Sequence, residues 1–307
     1  MEYVGYNALR TMRAKPLLLI LSLFSALIWL TVFSFPDNKL HLIFCDVGQG
    51  DATLITKGFN QILIDGGPND KVLSCLAQNM PFFDRTIEVV ALTHPEADHL
   101  TGLLSVLDKY KVDNFFSGPE VNNSAIAIAL VEKLKVKEKN EGLRLKSLFT
   151  GEKIVLGDIS LETLWPEKNW ARQKLSNIAA NKNLTFISNQ VLGMQVGNLK
   201  LNQFSLVFLL NYQKINVLLM GDADLSVEND VTLPSSLISL DILKFPHHGS
   251  KTGITEDFLA KIKPKEAVIS VGKNSYGHPT TEALDLLKKY NVRIRRTDLE
   301  GDIRYKF

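Results

Sequence analysis

The chain has 307 residues, of which 45% are hydrophobic and 22% are charged, a composition typical of globular proteins. Its formal net charge of +2 excludes a global attraction to nucleic acid, so any basic surface must be local. Its two cysteines, Cys45 and Cys75, are too few for a disulfide framework and lack the CxxC spacing of a metal pair.

The first predicted element is an apolar segment, Leu17–Phe35, in which 19 consecutive residues carry no charge. At about 1.5 Å per residue, such a helix is long enough to cross the bilayer core. A cleaved signal peptide is the alternative, but it would have a shorter run and would not end in Phe35-Pro36. Arg10, Arg13 and Lys15 precede the segment, so we expect a cytoplasmic N-terminus and an extracytoplasmic chain after about residue 37.

Residues 1–37 are therefore predicted to form an anchor, and residues 38–307 a single α/β layered domain. The predicted strands are Leu40–Asp46, Thr53–Thr56, Gln61–Ile64, Val89–Leu92, Val207–Leu210, Ile215–Met220, Ile242–Phe245 and Ala267–Val271. The predicted helices are Lys71–Gln78, Leu100–Lys109, Ala125–Lys135, Thr255–Lys261 and Thr281–Tyr290, with Thr255 and Thr280 as expected N-caps. Cys45 is expected to be buried in the first strand, and a bridge to Cys75 stays open for an extracytoplasmic domain.

Several polar or glycine-containing segments directly follow apolar runs, where the ends of strands present functional groups. They are Asp46-Val47-Gly48-Gln49-Gly50-Asp51, Asp65-Gly66-Gly67, His94–His99, Gly221-Asp222-Ala223-Asp224 and Pro246-His247-His248-Gly249-Ser250.

The segment His94-x-Glu96-x-Asp98-His99 places two imidazoles and two carboxylates within six residues. Neighbouring carboxylates repel each other, and a divalent cation relieves that repulsion while fixing each ligand. Imidazole nitrogen together with carboxylate oxygen suits Zn, Mn or Fe better than Ca. The pattern predicts a metal site, with a solvated polar loop as the alternative.

Three later residues help to distinguish a metal site from a solvated polar loop. Asp222 and His247 supply further ligands, enough for two metals, with Asp222 predicted to bridge the ions. Taken alone, His247-His248 is also compatible with a surface pair, and Asp222 with the cap of a strand. His278, in Tyr276-Gly277-His278-Pro279, is a further ligand, a substrate contact or a turn residue.

The order of the motifs DVGQGDA, DGG, THPEADH, GDAD, HHGS and GHP resembles the metallo-β-lactamase fold. More narrowly, it is similar to the hydrolase domain at the C-terminal end of ComEC, the DNA-internalisation channel of naturally competent bacteria. The similarity extends from about Leu40 to Phe307. It implies an αββα sandwich, preceded here by one predicted transmembrane helix, with metals at one edge of the two sheets.

The resemblance also implies roles for individual residues. The expected ligands of two divalent ions, Zn or Mn, are His94, Glu96, Asp98, His99, Asp222 and His247. Apart from the resemblance, Asp98 is expected to hold the attacking water or accept its proton, and Lys251 to contact a phosphate, so both are assigned to catalysis, with a merely exposed lysine as the alternative for Lys251. Ser205, His248 and His278 are assigned to substrate binding. Glu96 departs from the usual Asp of the family, and Thr101-Gly102 replaces the usual Gly-Gly.

The leading hypothesis is metal-dependent hydrolysis of DNA phosphodiesters outside the membrane during DNA uptake. Because one membrane helix is predicted instead of a polytopic channel, a separate channel protein is an expected partner. The alternatives are a hydrolase of small esters or lactones and a non-catalytic metal-binding module. A cluster near the C-terminus, namely Arg293, Arg295, Arg296, Arg304 and Lys306, is a possible nucleic-acid track.

Overall fold

The protein is described by a computed structural model that covers residues 5–182, 194–196, 200–235, 237 and 239–307. Within these residues the chain forms two seven-stranded sheets, whose strands are numbered in chain order. The first sheet has the spatial order β16 (Ile303–Lys306), β1 (His41–Phe44), β2 (Thr53–Lys57), β3 (Asn60–Ile64), β4 (Thr86–Leu92), β5 (Lys111–Ser117) and β7 (Arg144–Ser147). The second has the order β15 (Arg293–Arg296), β14 (Glu266–Ile269), β13 (Ile242–Lys244), β12 (Ile215–Leu219), β11 (Val207–Tyr212), β9 (Ile159–Trp165) and β8 (Lys153–Leu156). Two further strands, β6 (Glu120–Asn122) and β10 (Met194–Val196), pair in parallel.

The helices are α1 (Gly5–Ser34), α2 (Lys71–Asn79), α3 (Ala97–Lys109), α4 (Ala125–Glu141), α5 (Lys168–Lys182), α6 (Glu256–Ile262), α7 (Thr281–Lys289) and α8 (Thr297–Glu300). The predicted caps Thr255 and Thr280 are confirmed, because their hydroxyls accept the N–H groups of Phe258 and Ala283 at 3.2 and 3.3 Å.

Strands that are apolar on both faces build the layers. In β1, Leu42 and Phe44 join the core between the two sheets, while Ile43 joins the core under α2, α3 and α4. On the other side, Leu259 of α6 and Leu287 of α7 pack on the second sheet. The continuous apolar runs of the sequence follow from this burial on both faces, and the predicted αββα layering is confirmed.

The predicted transmembrane segment falls in α1, where the described apolar side chains from Leu17 to Trp29 are exposed. In the described part of the chain, no helix meets the length and apolarity needed to cross a membrane, so the anchor is not confirmed.

A disulfide joins Cys45 to Cys75, with their Cα atoms 5.9 Å apart. The bridge connects the end of β1 to α2, and both cysteines are buried. The sequence alone leaves this pairing open, and the fold brings the two residues together.

Candidate metal centre

The candidate site lies where the ends of strands from both sheets meet. In the first sheet β3 and β4 are parallel neighbours, and Asp65 and the segment His94–His99 follow their carboxyl ends. In the second, β12 and β13 are parallel, and Asp222 and His248 follow them. Carboxyl ends of parallel strands lie at the same edge of a sheet, so the fold collects these residues.

Four side chains form one group of possible metal ligands. Ligand atoms of Asp98, His99, Asp222 and His248 all lie within 4.8 Å of one another. His99 Nε2 lies 3.4 Å from Asp222 Oδ1, and His248 Nε2 lies 3.3 Å from Asp98 Oδ2. His248 Nε2 is also 3.5 Å from Asp222 Oδ2, so Asp222 faces both imidazoles.

Whether this group fits a metal depends on the atoms it can offer as ligands. Among the described residues, the buried atoms His99 Nε2, Asp222 Oδ1 and His94 Nε2 have no hydrogen-bond partner. Buried polar atoms are rarely left without partners, because the loss of hydration is then uncompensated. An imidazole nitrogen and a carboxylate oxygen of the group, with the nitrogen of the neighbouring His94, are ligands of Zn and related ions, so the group fits a divalent cation.

Asp65 orients His99 from behind. Its Oδ2 accepts a hydrogen bond from His99 Nδ1 at 2.8 Å and another from the Thr93 hydroxyl at 2.8 Å. Its Oδ1 accepts the Thr93 N–H at 2.8 Å. With Nδ1 occupied in this way, Nε2 is the nitrogen left for a ligand.

His248 is oriented by a backbone carbonyl. Its Nδ1 donates to the Ser270 oxygen at 2.9 Å, which leaves Nε2 towards Asp98 and Asp222. The residue is buried and has φ +53°, a left-handed conformation that a non-glycine residue adopts at some energetic cost. His247, the preceding residue, also has a positive φ, +50°, so the backbone is left-handed at both adjacent histidines.

Lys244 is a buried cation beside the group. Its Nζ donates to Asp51 and, at 3.0 Å, to the carbonyl of Gly221, and it lies 4.0 Å from Asp222 Oδ1. Asp51 and Lys244 are both almost fully buried. Asp51 also belongs to a second group of possible ligands, with Asp65 and His99, but its Oδ2 is paired to the lysine.

The metal-free group is a network of imidazolium and carboxylate charges. Burial alone would lower the pKa of His99, but Asp222 and Asp65 raise that pKa well above its usual value. Burial would also lower the pKa of His248, but Asp222 and Asp51 outweigh that effect and raise the pKa above its usual value. Burial opposes the ionisation of Asp98, yet His248 and His99 lower its pKa to about 2. A bound cation would take the place of the imidazolium protons.

His94 and Glu96 lie beside the group. His94 Nε2 is 3.9 Å from Glu96 Oε2, and the ring centroids of His94 and His99 are 4.2 Å apart. The Glu96 carboxylate is 39% exposed, unlike the fully buried His94. Both are predicted ligands, but neither belongs to the four-residue group.

A cavity of about 970 Å³ opens above the group. Asp98, Asp222 and His248 of the group line this cavity. The remaining lining residues are Gln49, Pro68, Glu96, Ala97, Asn122, Ser124, His247, Lys273, Asn274, Ser275, Tyr276 and His278. A substrate larger than a water molecule therefore reaches the candidate ligands directly.

Four predicted site residues have surroundings that differ from those expected. His247 lines the cavity outside the four-residue group, with Nε2 3.5 Å from Asn202 Nδ2, whereas His248, assigned to substrate, lies within the group. Ser205 is fully buried, and its hydroxyl accepts the N–H of Asp222 at 3.0 Å, a contact that holds one member of the group. Lys251 is exposed and is not among the described residues that line the cavity.

The C-terminal basic cluster is neutralised locally. Each of its cations pairs with a carboxylate: Arg293 with Glu266, Arg295 with Glu300, Arg296 with Asp298, Arg304 with Asp302, and Lys306 with Asp37. These pairs leave little net positive charge for the nucleic-acid track that the sequence suggested.

Sequence reasoning missed Lys244, Lys273 and Tyr276. A signal existed for Lys244, because a lysine within the apolar run Ile242–Phe245 needs a buried partner. Lys273 and Tyr276 lie in a loop whose exposure the sequence pattern does not reveal.

No protein-family model matches the chain. Two curated relatives do: it is 26% identical over 287 residues to ComE operon protein 3 of Bacillus subtilis, covering 85% of this chain and 32% of that protein. It is 27% identical over 268 residues to Recombination protein 2 of Haemophilus influenzae, covering 85% of this chain and 28% of that protein. The chain thus has homologues in the ComEC family, which confirms the resemblance, and it spans about a third of their length.

Solved structures bear on the fold. The metallo-beta-lactamase fold protein YhfI from Bacillus subtilis matches with a TM-score of 0.50 and 11% identity, covering 87% of this chain and all of that one. Zn(2+)-bound PqqB from Methylobacterium extorquens matches with a TM-score of 0.50 and 10% identity, covering 84% of this chain and 88% of that one. The fold is therefore of the metallo-β-lactamase type.

Proposed function

We propose that residues 38–307 form a metal-dependent phosphodiesterase that cleaves DNA at the outer face of a membrane during DNA uptake. The observation that carries this proposal is the group Asp98, His99, Asp222 and His248, which has unpartnered buried atoms at His99 and Asp222 and lies beside an open cavity that its other members line. The competence and recombination names of the relatives support DNA as the substrate class.

The four-residue group would hold one divalent ion, and His94 and Glu96 together with Asp222 would hold a second. Zn or Mn suits these ligands, and PqqB, a protein of the same fold, is described with Zn. A divalent cation at this position would acidify water and neutralise phosphate charge. Asp65 and Ser205 hold His99 and Asp222 in position for it.

The remaining residues act on water and phosphate. Asp98 is partly exposed to the cavity and its pKa is lowered to about 2, so its carboxylate stays ionised and accepts a hydrogen bond that orients the attacking water. His247 and His278 each carry an Nδ1 atom without a hydrogen-bond partner among the described residues, and their ring centroids are 5.6 Å apart. Burial and the charges of His247 and His248 lower the pKa of His278, which keeps it neutral near pH 7 as a hydrogen-bond donor to phosphate.

The direct test uses the purified 307-residue chain with Mn²⁺ or Zn²⁺, offered single-stranded DNA, duplex DNA and generic ester and lactam substrates. We expect cleavage of DNA that is abolished by EDTA and by Asp98→Ala. Hydrolysis of esters or lactams without any cleavage of DNA would reject the nuclease proposal. Metal binding without turnover of any substrate would favour a binding module.

We also propose that α1 anchors the domain, with the N-terminus in the cytoplasm. The uncharged run Leu17–Phe35, the cations that precede it and the exposed apolar side chains of α1 support this arrangement. The Cys45–Cys75 bridge supports an oxidising compartment for the domain. A separate channel protein would then pass the DNA strand. Release of the chain from membranes by alkaline carbonate, which removes peripheral proteins, would exclude the anchor.

A further inference from the structure

An exposed aromatic ring lies at the mouth of the candidate site. Tyr276 belongs to the loop between β14 and α7 and is 73% exposed, yet it lines the cavity that holds Asp98 and His248. Its ring lies beside that of His278, with centroids 5.9 Å apart and planes inclined by 35°. Most of the Tyr276 side chain is thus open to solvent at the cavity, with the ring of His278 nearby.

The loop is held by hydrogen bonds. Asn274 Nδ2 donates to the carbonyl oxygens of Gly272 and His278 at 2.9 and 2.8 Å. Asn274 Oδ1 accepts the N–H groups of Tyr276 and His278 at 3.0 and 3.1 Å. Because the Asn274 side chain makes four hydrogen bonds to backbone groups of this short loop, it fixes the path of the loop. The exposed position of Tyr276 is therefore defined by these hydrogen bonds.

A cation lines the same cavity. Lys273, three positions before Tyr276 in the chain, is exposed, and no ion pair of Lys273 occurs within the described part of the chain. The C-terminal arginines, in contrast, are paired to carboxylates. An unpaired cation and an exposed ring that line one cavity offer one contact for a backbone phosphate and one for a base.

We propose that Tyr276 is a stacking platform for a nucleobase and that Lys273 contacts the adjacent backbone phosphate. The site would then take an unpaired strand, because bases within a duplex are already stacked and cannot cover the ring. This inference rests on the proposed function and narrows its substrate class to single-stranded DNA or frayed ends.

The experiment uses the full chain loaded with Mn²⁺ and three forms of one oligonucleotide: single strand, blunt duplex, and single strand in which tetrahydrofuran units replace several bases. Tyr276→Ala should raise KM for the normal single strand about tenfold with little change in kcat, since removing one base–aromatic stack weakens binding by about that factor. It should leave KM for the base-free strand unchanged, and Tyr276→Trp should restore the wild-type value.

Two controls separate the ring from general effects. Phe82→Ala removes an aromatic side chain of similar exposure, 64%, that does not line this cavity, and it should change no parameter. Lys273→Ala should weaken the normal and the base-free strand equally, because a phosphate contact does not depend on the base.

The outcomes distinguish the two proposals. If wild-type protein cleaves DNA but Tyr276→Ala behaves like wild type on every strand, the platform is rejected while the nuclease stands. If no DNA is cleaved, the nuclease proposal fails. In that case the stacking proposal is tested by binding alone: a single strand that contains 2-aminopurine is titrated with protein in EDTA, and its fluorescence quenching is measured. Equal quenching by wild type and Tyr276→Ala would overturn the platform.

Discussion

Asp65 and His99 are joined by a hydrogen bond of 2.8 Å between Oδ2 of the carboxylate and Nδ1 of the imidazole, and both side chains are buried. The bond fixes the ring so that Nε2 lies 3.4 Å from Asp222 Oδ1. Metal affinity should therefore depend on a residue that is itself no ligand of the four-residue group.

Asp65→Asn is expected to weaken Mn²⁺ binding about 10–100-fold, the usual effect of removing a partner that orients a ligating histidine. The Asn amide N–H can donate a hydrogen bond to Nδ1, which would favour the tautomer with the ring proton on Nε2 and block the ligand atom. Equilibrium dialysis measures the affinity, with Asp285→Asn at the surface as the matched control. Equal affinities for Asp65→Asn and wild type would show that Asp65 does not orient the site.

Variants of the two adjacent histidines should differ in their effects on metal affinity and on KM. His248→Ala should reduce metal affinity at least about 100-fold, because it removes a member of the four-residue group. His247→Ala should keep the bound metal and instead raise KM, because His247 lines the cavity outside that group. Elemental analysis after gel filtration and steady-state kinetics provide the two readouts. The reverse result, with metal missing only from His247→Ala, would restore the assignment made from the sequence.

The layers were predictable where strands are apolar on both faces, as in β1 and β12. β5 was not predicted because its sequence, KVDNFFS, mixes polar and apolar residues. The polar Asn114 is accommodated there because its side chain donates to the carbonyl of Glu88 on β4 at 2.7 Å. Such a partner is known only after the strands have paired.

The site was predictable as a set of motifs, but not as a geometry. Spacing cannot distinguish His247 from His248, because the hydrogen bond of His248 Nδ1 to the Ser270 carbonyl exists only in the folded chain. Lys244 and Asp51 are separated by 193 positions in the chain, and only the packing of the two sheets brings them together. Ser205 looks like a substrate contact in the sequence, whereas the fold uses its hydroxyl to hold Asp222.

The Cys45–Cys75 bridge should stabilise the domain. Its cysteines are 30 positions apart, and closing a loop of that size in the unfolded chain corresponds to about 3–4 kcal/mol. The double variant Cys45→Ala, Cys75→Ala should lower the free energy of unfolding by about 2–4 kcal/mol in urea, and reductant should destabilise wild type but not the variant. Two titratable thiols in the untreated, unfolded protein would show that the bridge is not formed.

The pH dependence of stability should differ between metal-free and metal-loaded protein. The raised pKa values of His99 and His248 stabilise the metal-free fold below the unfolded value of 6.5, and this stability is lost as pH rises through the folded values. The pKa of Asp98, lowered from 3.8 to about 2, adds stability above 3.8 that is lost as pH falls towards 2.

In EDTA, the contribution of these three groups to the melting temperature should therefore be highest between about pH 4 and 6.5 and should fall above that range. Mn²⁺ should raise it most at high pH, because binding requires deprotonated imidazoles. His248→Gln should flatten the alkaline fall in EDTA. A melting temperature in EDTA that rises steadily from pH 6 to 9 would be incompatible with the imidazolium network.

Lys244 should be essential to the stability of the site even though it is not a ligand of the four-residue group. Lys244→Met removes the buried cation and leaves Asp51 without its partner, and breaking a buried pair in this way costs about 3–5 kcal/mol. Chemical denaturation in EDTA measures the destabilisation, with Lys265→Met as the control, since that surface lysine pairs with Asp241 and should contribute at most about 1 kcal/mol. Adding Asp51→Asn to Lys244→Met should recover much of the stability, because the unpaired carboxylate is then gone. If the two single variants are additive in the double variant, the lysine acts through packing and not through Asp51.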